Sequence, residues 1–133
     1  MSTNPTFLTF EEVLELHQTQ IALYGGTMGI RDMGLLESAV NAPAAKFGGA
    51  FLHEDWASMA AALLFSIVKN HPFLDGNKRT GSLAAYVFLQ INNMEFEPEE
   101  KEFGDITLAC AEGSVTKQQI IDFFRRNISP DAP

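Results

Sequence analysis

Within one short run, His71-Pro72-Phe73-Leu74-Asp75-Gly76-Asn77-Lys78-Arg79-Thr80, the chain gathers an imidazole, a carboxylate, a glycine and two cations. Imidazole is the side chain that ordinarily ionises near neutral pH, which suits it to take a proton from a hydroxyl. A carboxylate can offer oxygen to Mg²⁺, the usual companion of a triphosphate. Pro72 disfavours helical torsions at His71, so a helix arriving there should stop, and a new helix is expected near Asn77. Residues 71–76 then form a loop between two helices. Gly76 lets the backbone turn sharply and leaves the first N–H groups of the second helix free, which makes an anion site. Lys78 and Arg79 sit in that helix's first turn, where the helix dipole disfavours positive charge; a bound polyanion would offset the cost. The segment reads as a cradle for nucleotide phosphates with a base at its rim. It is not a Walker A loop, which would need glycines at positions 77 and 72, where this chain has Asn and Pro.

The same residues resemble the motif of the Fic/Doc superfamily, His-x-Phe-x-(Asp/Glu/Asn)-(Gly/Ala)-Asn-(Gly/Lys)-Arg. Fic-type AMP transferases carry a second glycine where this chain has Lys78, and an arginine three residues beyond Arg79, where it has Ser82. At both positions the sequence is closer to the Doc, or death-on-curing, branch. Gly29-Ile30-Arg31-Asp32-Met33-Gly34-Leu35-Leu36-Glu37-Ser38-Ala39 resembles an upstream block of Doc-like proteins, so the likeness covers nearly the whole chain.

The resemblance implies a kinase-like toxin that moves the γ-phosphate of ATP to a protein hydroxyl, on elongation factor Tu, and so arrests translation. It also implies an antitoxin partner whose helical segment covers the site. Residue by residue, His71 is the expected general base and Asp75 the expected Mg²⁺ ligand. Gly76 and Asn77 line the anion nest, and Lys78 and Arg79 neutralise phosphate charge, with Lys69 near enough in sequence to help. Phe73 is the expected plug that pins the loop to the core. The alternatives are nucleotidyl transfer of the Fic type, and a catalytically silent module that binds a nucleotide or a partner.

A chain of 133 residues with 46% hydrophobic content is one domain's worth of sequence and core. A net charge of −8 argues against a nucleic-acid binder, which should present a basic face. Lys69, Lys78 and Arg79 nonetheless fall close together, and a local positive pocket on an acidic protein suits a small anionic ligand. The single cysteine, Cys110, excludes an internal disulfide framework and fits a reducing cytoplasm. Met1 to Thr9 shows neither a basic nor an apolar leader region, and the longest apolar run, Met59 to Val68, is about half the ~20 residues of a membrane span. A soluble cytoplasmic protein is expected.

Positioning the motif falls to an expected all-α bundle of about six helices, at 9–24, 32–41, 56–70, 77–92, 100–112 and 117–128. Thr9 with Glu12 and Thr116 with Gln119 are capping-box pairs, and Gly25-Gly26 ends the first helix. His17 lies on or beside the apolar stripe of that helix and reads as a satisfied packing histidine. Asp32 is an expected cap, and its neighbour Arg31 is expected to pair with it and fix the loop. Residues 44–54, rich in glycine, can form a turn or small hairpin or equally an ordinary connecting loop, at a position that resembles the flap of Fic/Doc proteins, and His53 there is most simply solvated. The helices at 56–70 and 77–92 are apolar almost all round, so they should form a buried antiparallel pair with the motif at its joint. The acids Glu95, Glu97, Glu99, Glu100, Glu102 and Asp105 read as a solvated bend, Cys110 as a buried small hydrophobe, and 130–133 as a tail.

Overall fold

The computed structural model describes residues 4–130. Six helices form: α1 (Phe10–Tyr24), α2 (Met33–Asn41), α3 (Trp56–Asn70), α4 (Asn77–Ile91), α5 (Glu100–Glu112) and α6 (Lys117–Asn127). Their starts follow from local chemistry. Thr9 and Thr116 close reciprocal capping boxes with Glu12 and Gln119, and Asp32 and Asp55 accept the N–H groups of Leu35 and Ser58.

Two short antiparallel strand pairs complete the chain. Strands β1 (Lys46–Phe47) and β2 (Ala50–Phe51) form the small hairpin allowed by the glycines at 48 and 49. Strand β3 (Met94–Phe96) pairs with β4 (Ile128–Pro130), in register Met94 with Pro130 and Phe96 with Ile128. That second pair corrects the expected ending: residue 128 leaves the last helix and Pro130 belongs to a strand, while residues 131–133 lie outside the described part. Proline is admissible there because it occupies the end of an edge strand.

Helix α3 is the axis of the fold, packed against α2, α4, α5 and α6. Met59, Ala60, Leu63, Leu64, Ile67 and Val68 are all buried along it. Within the same core, the rings of Phe96, Phe103, Phe123 and Phe124 tie β3, α5 and α6 together, with centres 5.0–6.1 Å apart. Among the described residues no helix is long and apolar enough to cross a membrane.

Gly81 on α4 marks a close approach within the central pair. A Cβ added there would lie 2.7 Å from Val68 Cγ2 and 3.5 Å from Ile67 Cγ2 and Leu64 Cδ1. Glycine costs helix propensity, but here it lets α4 sit directly on α3. We therefore expect Gly81→Ala to lose about 1–3 kcal/mol in urea denaturation, the usual penalty for overpacking a core. Val68→Ala in the same chain should recover part of that loss, and strict additivity of the two changes would refute the contact.

The start of α3 is also joined to α6, because Asp55 accepts a 2.8 Å bond from Arg125. Burial works to raise this carboxyl, but the Ser58 hydrogen bonds and the Arg125 charge overcome it and leave the pKa below the ordinary 3.8. A depressed carboxyl contributes stability above its unfolded value and loses it as pH falls through the folded one. Stability should therefore decline below pH 3.8 less steeply in Asp55→Asn than in the parent chain. Acid melts of the two proteins with equal slopes would remove Asp55 from the account.

Candidate active site

The loop between α3 and α4 starts from a strained residue. His71 takes left-handed torsions, φ 49° and ψ 59°, which end α3 and turn the chain toward Pro72. Such torsions cost a non-glycine residue about 1–2 kcal/mol. Several interactions outweigh that cost. Phe73 is buried, and its burial contributes about 1.5–3 kcal/mol. The Asn77 amide then holds both backbone groups of Phe73, accepting its N–H at 3.0 Å and donating to its carbonyl at 3.0 Å. Phe73 thus lies buried with both of its backbone groups held.

A second set of bonds comes from residues 29–32. The Pro72 carbonyl accepts the N–H groups of Arg31 and Asp32, the Leu74 N–H donates to Gly29, and Ile30 and Phe73 form a bridge of antiparallel strand type. Arg31 donates from Nε to the His71 carbonyl at 2.6 Å and from Nη2 to the Asn70 carbonyl at 2.7 Å. The expected pairing of Arg31 with Asp32 is corrected by this geometry. Asp32 caps α2, while Arg31 caps the end of α3, where free carbonyls and the negative end of the helix dipole attract it.

His71 exposes its ring to solvent, and its Nδ1 lies 3.4 Å from Asn77 Nδ2. Because the two Phe73 bonds fix which end of the Asn77 amide is nitrogen, Nδ1 is the acceptor in this contact. The neutral ring then carries its proton on Nε2. A separation of 3.4 Å makes this a weak hold.

The carboxylate of Asp75 is fixed at both oxygens. Thr27 N–H donates to Oδ2 at 3.1 Å and Gly76 N–H donates to Oδ1 at 2.8 Å. These two donors, with the nearby Arg79 charge, hold the carboxyl below its ordinary range. Each oxygen keeps a lone pair for another partner, and the group is exposed. No cluster of three or more His, Cys, Asp or Glu suited to a metal occurs among the described residues. A single carboxylate nevertheless fits Mg²⁺, which takes its remaining ligands from water and substrate phosphates.

Gly76 precedes α4 with φ 75°, and no side chain caps that helix. The Gly76 φ favours glycine, and the space does too, since a Cβ would lie 3.1 Å from Ile21 Cδ1. Lys78 is exposed. Arg79 donates to the Gly25 carbonyl at 3.0 Å, with its guanidinium 5.6 Å from the centre of the Tyr24 ring. Both cations line a groove of about 690 Å³ between α1, α4 and α5, whose walls include Tyr24, Tyr86 and Phe103. Ser82 lines it as well, 3.0 Å from the Thr107 hydroxyl on α5.

Two expected residues are placed differently from the rest. The Lys69 ammonium turns toward the C-terminal end of α5, 3.1 Å from where a Cβ on Gly113 would sit. Asn77 has its side chain engaged inside the loop and offers a ligand only its backbone N–H. His17, expected from sequence to be a satisfied packing histidine, is placed against the turn. Its Nε2–H donates to the Asp75 carbonyl at 2.8 Å, whereas Nδ1 has no partner among the described residues, so it is buried but only half satisfied. Burial and the Arg79 charge push its pKa down against the pull of Asp75, which keeps the ring neutral near pH 7. His53 is half-buried instead of solvated, and burial, with Lys117 nearby, lowers it as well.

The Fic/DOC family model matches residues 7–89, which run from before α1 to the last turns of α4 and include the whole turn just described. The chain belongs to the Fic/DOC family. It is similar to a protein named "Toxin Doc" from Mycolicibacterium smegmatis, with 44% identity over 72 residues, covering 54% of this chain and 55% of that one. The match thus spans about half the length of the mycobacterial relative. It is also similar to "Protein kinase doc" of Escherichia phage P1, at 30% identity over 116 residues, covering 87% of this chain and 90% of that one. The Fic/DOC match includes the 29–32 segment that braces the turn.

Arg31 supplies a test of that brace. Arg31→Ala frees two carbonyls at the end of α3 and should cost about 1–2 kcal/mol, the low end for charge-assisted bonds because water can reach them. Hydrogen exchange at the Leu74 amide should quicken in the same variant, and unchanged exchange together with unchanged stability would show that Arg31 is dispensable.

Proposed function

We infer that the chain is a Doc-like toxin kinase, transferring the γ-phosphate of magnesium ATP to a protein hydroxyl. The observation that carries the reading is the uncapped N-terminus of α4, preceded in one short turn by the fixed carboxylate of Asp75 and the exposed His71. Free helix N–H groups favour phosphate oxygens, and catalysis of phosphoryl transfer is largely positioning and charge stabilisation. The names of the two relatives support the same reading.

In the proposed reaction the acceptor hydroxyl oxygen forms a bond to the γ-phosphorus as the bond to the β–γ bridging oxygen breaks and ADP leaves. His71 takes the hydroxyl proton, its weak contact with Asn77 being readily exchanged for a substrate hydroxyl. Asp75 holds Mg²⁺, whose role is to neutralise phosphate charge. The N–H groups of α4 receive phosphate oxygens, and Lys78 and Arg79 supply positive charge beside them. Ser82 bonds toward Thr107 at the position where Fic-type AMP transferases are expected to carry an arginine, so no cation is available there. Elongation factor Tu is the proposed acceptor, and a helical segment of an antitoxin is the proposed inhibitor, for which the α1–α4–α5 groove is the candidate seat. The proposed setting is the cytoplasm.

The reading is tested with ATP labelled at either the α- or the γ-phosphate and elongation factor Tu as acceptor. Label from the γ position alone is expected to enter the protein; α-label would mean nucleotidyl transfer instead. His71→Ala should fold normally and slow transfer by about 10²–10⁴-fold, the usual contribution of a positioned base. Growth arrest that survives this substitution would separate the toxicity from the chemistry.

A further inference from the structure

A buried polar side chain on α1 reaches into the motif from below. His17 on α1 is fully buried, with its ring stacked on Phe73 at 3.7 Å between centres and 3° between planes. Its Nε2–H donates to the Asp75 carbonyl at 2.8 Å. In a trans peptide the C=O and the following N–H point to opposite sides. With the Asp75 carbonyl drawn inward to His17, the Gly76 N–H must face outward, where it meets Asp75 Oδ1. Thr27 N–H holds the other oxygen. The contacts therefore run from His17, through one peptide plane, to the carboxylate and the start of α4.

Packing alone does not account for an imidazole here. Nδ1 has no partner among the described residues, and a buried polar atom without a hydrogen bond carries a cost that phenylalanine or leucine would avoid. The space is also closely fitted. A Cβ on Gly76 would lie 3.1 Å from Ile21 Cδ1 and 3.7 Å from His17 Cδ2, so these two residues, one helical turn apart, form the floor of the turn. We propose that His17 is a positioning residue for phosphoryl transfer, orienting the Asp75–Gly76 peptide and with it the metal-holding carboxylate, without touching the nucleotide. This rests on the phosphoryl-transfer reading of the site.

The test compares the full chain with His17→Phe, which fills the space without a donor, and with His17→Gln, whose amide can donate to the same carbonyl. One readout is hydrogen exchange at the Gly76 and Thr27 amides. The other is the rate of γ-labelled phosphate transfer from magnesium ATP to elongation factor Tu, resolved into kcat and KM. His17→Phe is expected to fold, to lose protection at both amides, and to lower kcat by about tenfold to a hundredfold with KM for ATP little changed. His17→Gln should restore most of both. A folded His17→Phe with parental protection and kcat overturns the proposal. If the parent chain transfers no label, the phosphoryl-transfer reading fails separately, and the amide protection still decides whether His17 holds the turn. Should His17→Phe not fold, His17→Met is the second variant without a donor, judged by the same readouts. A ring-nitrogen spectrum of the parent with the proton on Nδ1 instead of Nε2 also overturns the proposal.

Discussion

The seating of Phe73 is the interaction on which the rest of the molecule's chemistry depends. Its ring is buried against His17, and its two backbone groups are both taken by the Asn77 side chain. A loop that begins with a left-handed histidine would otherwise relax toward less strained torsions, moving His71 and Asp75 independently. Aromatic burial supplies the larger energy, whereas the Asn77 amide supplies direction, since only one rotation of its plane satisfies both bonds. The same amide then approaches the His71 ring, its Nδ2 lying 3.4 Å from Nδ1, so the anchor of the loop also meets the imidazole. Positioning and chemistry share one side chain.

Rigidity reaches the loop from the helix pair beneath it. At Gly81 the backbone of α4 comes against Val68, so α3 and α4 lock near the end that carries the turn. Four elements then converge on six residues: α3 delivers His71, the 29–32 segment pairs with Pro72 to Leu74, α1 supports Asp75 from below, and α4 leaves toward the groove. Loops seldom have so many of their polar groups engaged, and here the engagement replaces the fixed geometry that a strand or helix would give.

The parts of this architecture that depend on near neighbours were legible in the sequence. Capping pairs such as Thr9 with Glu12 act across one turn, and Pro72 acts on the residue before it, so helix limits could be read to within a residue or so. The Fic/Doc resemblance likewise rests on a contiguous motif. What escaped were particular bonds whose partners lie far along the chain. Arg31 looked like half of an ion pair because Asp32 was adjacent, yet its acceptors are carbonyls at positions 70 and 71. His17 looked like packing because it falls on or beside the apolar stripe of α1, yet its acceptor is the backbone of Asp75. The β3–β4 pair is three residues long on each side and separated by two helices, too short and too distant for alternation to show.

Arg79 shows how such a distant contact changes the electrostatic argument. On sequence alone, two cations at a helix N-terminus implied a bound polyanion, because the dipole there opposes them by about 0.3–1 kcal/mol each. The structure gives Arg79 another source of support: it donates to a carbonyl at the C-terminal end of α1 and lies over Tyr24. The negative end of one helix thus offsets the positive end of another, and the aromatic contact adds about 0.5–1 kcal/mol at an exposed site. Arg79 is therefore accounted for without an anion, and its presence ceases to be evidence for one. Lys78 has no such compensation among the described residues, and the N–H groups of α4 have no capping side chain. The case for a phosphate at this turn passes from the pair of cations to the backbone itself, which a neutralised Arg79 would leave intact.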